Sequence, residues 1–166
     1  PLSIATSAGV LSFPASHLDW VRPGIMLYGG SPYDRAIPEL KSAMTLLAPV
    51  IAVNNIRASQ SVGYGRTWMA DKDTRVAVLG VGYADGYPRE ISNGVAMLGG
   101  LRRNIVGRIS MDMLCVELEE SDSVSVGDTL ELWGSLLRIE EVASRSNTIP
   151  YTLMCGVGTR VRRKYF

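Results

Sequence analysis

The sequence predicts a mainly β domain, a sandwich or a barrel, with two short helices near its end and pieces of an α/β unit before it. Three observations carry this. Short apolar runs recur along residues 45–133, each bounded by turn residues. A composition shift at residues 29–41, GGSPYDRAIPELK, marks a boundary. Helical spacing of apolar residues appears only late, after residue 138.

The strands follow in order. Thr45–Ile56 is a run rich in Val, Leu and Ile, and Thr74–Gly82 is another, set off by Asp71–Asp73. Val95–Leu98 and Asn104–Ile109 flank Gly99-Gly100, a hairpin signal. Leu114–Leu118 alternates around Glu117, and Asp128–Trp133 alternates after the turn Val126-Gly127-Asp128. Ile139–Ser146 has Ile139, Val142 and Ala143 on one helical face. A second helix is expected with Thr148 as its cap, Pro150 just inside and Gly156 as its stop. Thr159–Phe166 reads as a final strand, and the basic Arg160, Arg162, Arg163 and Lys164 as its solvated face.

Composition excludes several function classes. The chain has 166 residues, 46% hydrophobic and 20% charged, so it can form a core and is not expected to be disordered. A closed (β/α)₈ barrel needs roughly 200 residues or more and does not fit. Seventeen basic against sixteen acidic residues, net +1, give no electrostatic reason for nucleic acid. Cys115 and Cys155 lack CxxC spacing, so neither a disulfide framework nor a zinc site is expected, and both thiols read as buried. No membrane span is expected, and a reducing cytosol is the default compartment. A start at Pro1 rather than methionine suits a fragment or a processed product.

Four segments carry candidate chemistry. In Ser61-Val62-Gly63-Tyr64-Gly65-Arg66, glycine on both sides of Tyr64 permits a tight bend that projects the phenol, although such a tyrosine also serves to cover a core edge. Gly82-Tyr83-Ala84-Asp85-Gly86-Tyr87-Pro88-Arg89 places a phenol, a carboxylate and a guanidinium in one structured loop, either a polar pocket or a self-satisfied turn. In Gly107-Arg108-Ile109-Ser110-Met111-Asp112-Met113, Asp112 is expected to be half-buried. It would be partnered by Arg108 or by backbone N–H groups, or simply cap a turn. Val21-Arg22-Pro23-Gly24-Ile25 ends a short strand, where backbone N–H groups can cradle a phosphate or merely turn the chain. His17 is the only histidine, with no GxSxG elbow, so it reads as solvated or locally bonded. There is no metal cluster and no glycine-rich phosphate loop.

Taken with Leu27-Tyr28-Gly29 and Ile149-Pro150-Tyr151, these motifs run in the order found in alanine racemases, and nearly the whole chain resembles that family. The resemblance implies the family's C-terminal β-barrel domain over residues 37–166. Before it, residues 1–36 would be the remnant of the C-terminal end of a pyridoxal-phosphate-binding (β/α)₈ barrel. Cut from their barrel, residues 1–36 are expected to be disordered, refolded locally or packed on another copy.

The resemblance also implies roles. Tyr64 matches the catalytic acid/base, donated across a homodimer to the partner's barrel. Arg22 matches the group that bonds the pyridine nitrogen of pyridoxal 5'-phosphate. Ser7, Gly24, Ile25 and Tyr151 match the phosphate cradle. Met111 matches the residue whose backbone holds the substrate carboxylate, with Asp112 beside it, and Tyr83 matches an entrance-gate tyrosine. The implied reaction is the interconversion of L- and D-alanine for peptidoglycan precursors. The lysine that anchors the cofactor falls in the early barrel, so these residues alone are expected to be inactive. Some members carry a histidine at the position of Ser3, which leaves the support of Arg22 open. A related decarboxylase of similar architecture would use a cysteine at the β-domain site and an acidic pyridine partner, which Arg22 opposes. A non-catalytic β-barrel module would not need these motifs.

Overall fold

The computed structural model describes residues 1–166. Its first segment is built of short pieces. Ser3 pairs in parallel with Trp20, and helix α1 (Ser7–Ser12) lies between them. This is the connection of a βα unit, in place of the expected disorder or local refolding. A single 3₁₀ turn follows at Ile25–Tyr28, closed by Gly29 at φ +79°.

Six of the eight strands then close a barrel. The strands are β1 (Leu46–Ile56), β2 (Ser61–Val62), β3 (Trp68–Met69), β4 (Thr74–Leu79), β5 (Val95–Leu98), β6 (Leu101–Val106), β7 (Leu114–Leu118) and β8 (Thr129–Trp133). The barrel order is β1-β4-β7-β6-β5-β8, every neighbour antiparallel, and β2 and β3 form a separate small hairpin. The long β1 makes closure possible. Its first residues, Leu46–Pro49, pair with β8, and Val50–Ile56 pair with β4. Pro49 has no N–H to donate and stands beside that change of partner. Residues 46–50 alternate buried and exposed, as one face against a core requires.

Side chains fill the interior. Ala48, Ala77, Leu79, Val116, Leu130, Leu132 and Trp133 are fully buried. Helix α2 (Ile139–Arg145) turns Ile139, Val142 and Ala143 onto this core, and helix α3 (Pro150–Gly156) adds Leu153. The Gly99-Gly100 turn joins β5 and β6 with Leu98 opposite Leu101, so β6 begins three residues earlier than expected and stops at Val106.

Three expectations are corrected. Thr148 is not the cap of α3: Ile149 holds that position without a side-chain bond, and Thr148 donates its N–H to Ala143 O. Gly156 lies inside the last turn rather than stopping it; a Cβ on Gly86 would stand 2.4 Å from its carbonyl oxygen, so the site requires close backbone approach. Residues 159–166 form no strand. The closed barrel leaves no unpaired edge for a further strand to join.

The boundary segment 29–41 is tied to the domain that follows it. Arg138 donates to the carbonyls of Gly29 and Leu40, at 2.9 and 2.7 Å. Ser31, fully buried, donates its N–H to Glu140 at 2.7 Å. These bonds fasten the first segment to α2. No helix is long and apolar enough to cross a membrane.

Candidate active site

The topology gathers three loops at one barrel end. β4 finishes there at Leu79, opposite the start of β7 at Leu114, and β6 finishes at Val106 opposite Cys115. The turn after β4 carries Tyr83–Asp85, and the link from β6 to β7 carries Ser110–Met113. The Tyr64 turn docks on that same link: a Cβ on Gly63 would lie 2.8 Å from the Arg108 nitrogen, and one on Gly107 2.5 Å from the Val62 oxygen.

Tyr64 stands between two residues in the left-handed region, Gly63 at φ +81° and Gly65 at φ +71°. That conformation is accessible to glycine and strained for residues with a Cβ. The bend leaves Tyr64 71% exposed, the display expected from its flanking glycines. Arg66 steadies the turn through a 3.2 Å bond to Ser61 Oγ. The Arg108 guanidinium lies alongside, its Cζ 3.8 Å from where a Gly65 Cβ would be.

The Tyr83 turn and the Met111 loop are stitched together by backbone. Tyr83 N–H donates to Ser110 O at 3.1 Å and Ala84 N–H to Met111 O at 2.9 Å. Asp85 caps its own turn by accepting the Gly82 N–H at 2.9 Å. Tyr83 and Met111 remain exposed at this end, whereas Tyr87 turns inward and stacks on Trp133 with ring centroids 5.9 Å apart. Burial pushes the Tyr87 phenol far above its usual range. Arg89 pairs only with its exposed neighbour Glu90.

Asp112 corrects the sequence reading. It is exposed rather than half-buried, and its partner is neither Arg108 nor a backbone N–H. Arg160 donates to it, and the same guanidinium lies 3.4 Å from Asp85. The two carboxylates raise the Arg160 pKa, through the Asp112 hydrogen bond first. Sequence reasoning misses Arg160 because the basic run around it reads as a solvated strand face and Arg108 stands nearer to Asp112 in sequence.

A second cluster forms in residues 1–36. The buried Ser7 Oγ accepts the N–H groups of Gly24 at 2.9 Å and Met26 at 3.3 Å, so its own hydroxyl hydrogen is left to donate. A Cβ on Gly24 would meet nothing within 4 Å, so open space lies in front of this turn. Ile25 beside it is buried. Arg22 donates to Ser3 through both its carbonyl, at 2.8 Å, and its hydroxyl, at 2.7 Å. Ser3 thus supports the arginine directly. Tyr151 lies on the first turn of α3, and Met154 on the next turn reaches the Ile25–Gly30 stretch. No hydrogen bond or ion pair joins this cluster to the barrel-end loops. His17 is bonded locally to Val10 O at 3.0 Å. Cys115 is half-buried and Cys155 is exposed, against the expectation of two buried thiols.

A concavity of about 1070 Å³ lies at the far barrel end, where β4 begins and β7 finishes, and has only two hydrophobic lining residues. Its mixed Arg, Lys, Asp and Glu lining has none of the site residues predicted from sequence.

Fold and site define a class: an antiparallel β-barrel domain carrying an exposed tyrosine, fastened to a βα segment with an open turn suited to an anion. Residues 43–165 match the family described as "Alanine racemase, C-terminal domain", and residues 1–32 match "Alanine racemase, N-terminal domain". The alanine racemase of Halorhodospira halophila is 50% identical over 169 residues, covering 99% of this chain and 46% of the relative. The biosynthetic alanine racemase of Pseudomonas aeruginosa is 47% identical over 167 residues, covering 98% and 47%. Its crystal structure superposes with a TM-score of 0.91 at 46% identity, covering 99% of this chain and 47% of that one. The Bartonella henselae alanine racemase with covalently bound pyridoxal phosphate superposes at 0.90 and 36% identity, covering 99% and 46%. The chain therefore belongs to the alanine racemase family and spans a little under half the length of these relatives.

Proposed function

We propose that this chain is the C-terminal part of a cytoplasmic, homodimeric racemase that interconverts L- and D-alanine with pyridoxal 5'-phosphate, serving peptidoglycan precursors. Residues 1–36 then complete a (β/α)₈ barrel, and residues 37–166 form the β domain. The observation that carries this reading is Tyr64, displayed by two left-handed glycines at the barrel end that also presents Tyr83 and Met111.

The residues fit the cofactor's two anchoring points. The Ser7 hydroxyl and the open turn at Gly24 and Ile25 suit a phosphate, with Tyr151 on the neighbouring α3. Arg22, held by Ser3, would donate to the pyridine nitrogen, and as a guanidinium with no acceptor it would leave that nitrogen unprotonated. Bound pyridoxal phosphate supplies an electron sink for the pair left on the substrate Cα. By leaving that nitrogen unprotonated, Arg22 would favour return of the proton over decarboxylation or transamination.

On this reading Tyr64 reaches the partner's barrel and exchanges the Cα proton on one face, opposite the lysine. The Met111 backbone and Asp112 flank the substrate carboxylate, and Tyr83 narrows the entrance for a small amino acid. The test is Tyr64→Phe in the full-length enzyme. Proton exchange at Cα from one enantiomer, followed by deuterium incorporation, should fall by at least about 10²-fold. Racemisation unchanged in both directions would refute the assignment.

A further inference from the structure

Two carboxylates stand at the barrel end where the substrate carboxylate is proposed to arrive. Asp85 is nearly buried and committed to the Gly82 N–H, whereas Asp112 projects outward. Uncompensated, Asp112 repels any incoming anion. Arg108, next in sequence to this loop, points instead at the Tyr64 turn. The only ion-pair partner of Asp112 is Arg160, 48 residues away.

Arg160 is held on a firm base. Val157 is buried, Val161 packs against the core, and Arg163 donates back to Val157 O at 2.7 Å. The guanidinium forks between Asp112 and Asp85, which belong to the two loops already joined at Tyr83–Ser110 and Ala84–Met111. An arginine suits this place because its planar fork serves two carboxylates at once, whereas an ammonium is a single point charge.

We propose that Arg160 is a positioning residue for substrate binding: it sets the Asp112 side chain against the Tyr83 turn and neutralises it, so that an amino-acid carboxylate can approach the Met111 backbone. The proposal rests on the alanine racemase reading above. Exposed ion pairs contribute little to stability. Loss of Arg160 should therefore appear in substrate binding and leave folding almost untouched.

The experiment uses the full-length enzyme with its barrel. In Arg160→Gln, KM for alanine should rise about fivefold at low ionic strength while kcat stays within about twofold and the urea midpoint is unmoved. Added salt should shrink the KM difference, because Asp112 then acts through screened solvent. Arg160→Lys should fall between parent and Arg160→Gln. A KM within twofold of the parent in Arg160→Gln overturns the proposal, as does a raised KM that added salt leaves unchanged. A parent that does not racemise alanine overturns the racemase reading and this proposal with it. An active parent with an indifferent Arg160 overturns the proposal alone.

Discussion

Gly82 packs its backbone directly on the Met111 loop, and replacing it with alanine tests how that loop and the Tyr83 turn fit together. Its φ of −142° is extended backbone open to any residue, so this glycine is required for space. A Cβ there would lie 2.4 Å from the carbonyl oxygens of both Ser110 and Met111. Restoring ordinary contact at 3.4 Å demands a shift of about 1 Å (3.4 − 2.4), and backbone carbonyls cannot rotate away. Those oxygens accept the Tyr83 and Ala84 N–H groups, so the shift costs both hydrogen bonds. Two bonds at about 1 kcal/mol each, with about 1 kcal/mol or more of overpacking, predict a loss of about 3 kcal/mol. Urea unfolding followed by tryptophan fluorescence would measure it. Gly158→Ala is the control: a Cβ there meets nothing within 4 Å, and it should stay within about 0.5 kcal/mol of the parent. In the full-length enzyme the same 1 Å displacement should lower kcat/KM by up to about 10²-fold. A Gly82→Ala protein as stable as Gly158→Ala would refute the close approach and the reasoning built on it.

Two further predictions concern the frame. The Asp122 carboxylate accepts Nε and Nη2 of the buried Arg103 at 2.5 Å each and the Glu119 N–H at 2.9 Å. Asp122→Ala should cost about 3 kcal/mol at pH 7, because it leaves a buried guanidinium with only the exposed Glu119, 3.6 Å away, to balance its charge. The Arg103 hydrogen bond holds the Asp122 pKa below its usual value, against an opposing push from burial. Its stabilisation is therefore present above the unfolded value of about 3.9 and is lost as pH falls through the folded one. Urea midpoints should drop more steeply on acidification below about pH 4 in the parent than in Asp122→Asn; equal slopes would refute the linkage. Tyr87→Phe should keep the stack on Trp133 and remove a buried hydroxyl that has no hydrogen-bond partner. Its unfolding free energy should equal or exceed the parent's by up to about 1 kcal/mol, and a loss greater than that would show the hydroxyl to be satisfied.

Local chemistry made much of the fold legible. Alternation in β1, the Gly99-Gly100 hairpin, and the helical face of Ile139, Val142 and Ala143 all appear where periodicity and turn residues put them. The same chemistry marked Tyr64 for display. It misread residues 159–166, whose alternation suits a strand but which find no open edge on the closed barrel. The glycines and prolines of residues 29–41 mark a boundary, but nothing local shows that Arg138 and Glu140 on the other side of the fold hold it.

The sequence by itself determined what each short element is and which motifs identify the family, because strand period, turn chemistry and helix spacing act over a few residues. The tertiary structure alone decided which ends of those elements meet. The change of partner along β1 closes the barrel, and closure brings the Tyr83 turn and the Met111 loop to one end. It also decided that Arg160, not Arg108, answers Asp112. Charges attract through space rather than along the chain, and a pair separated by 48 residues leaves no periodic trace in sequence.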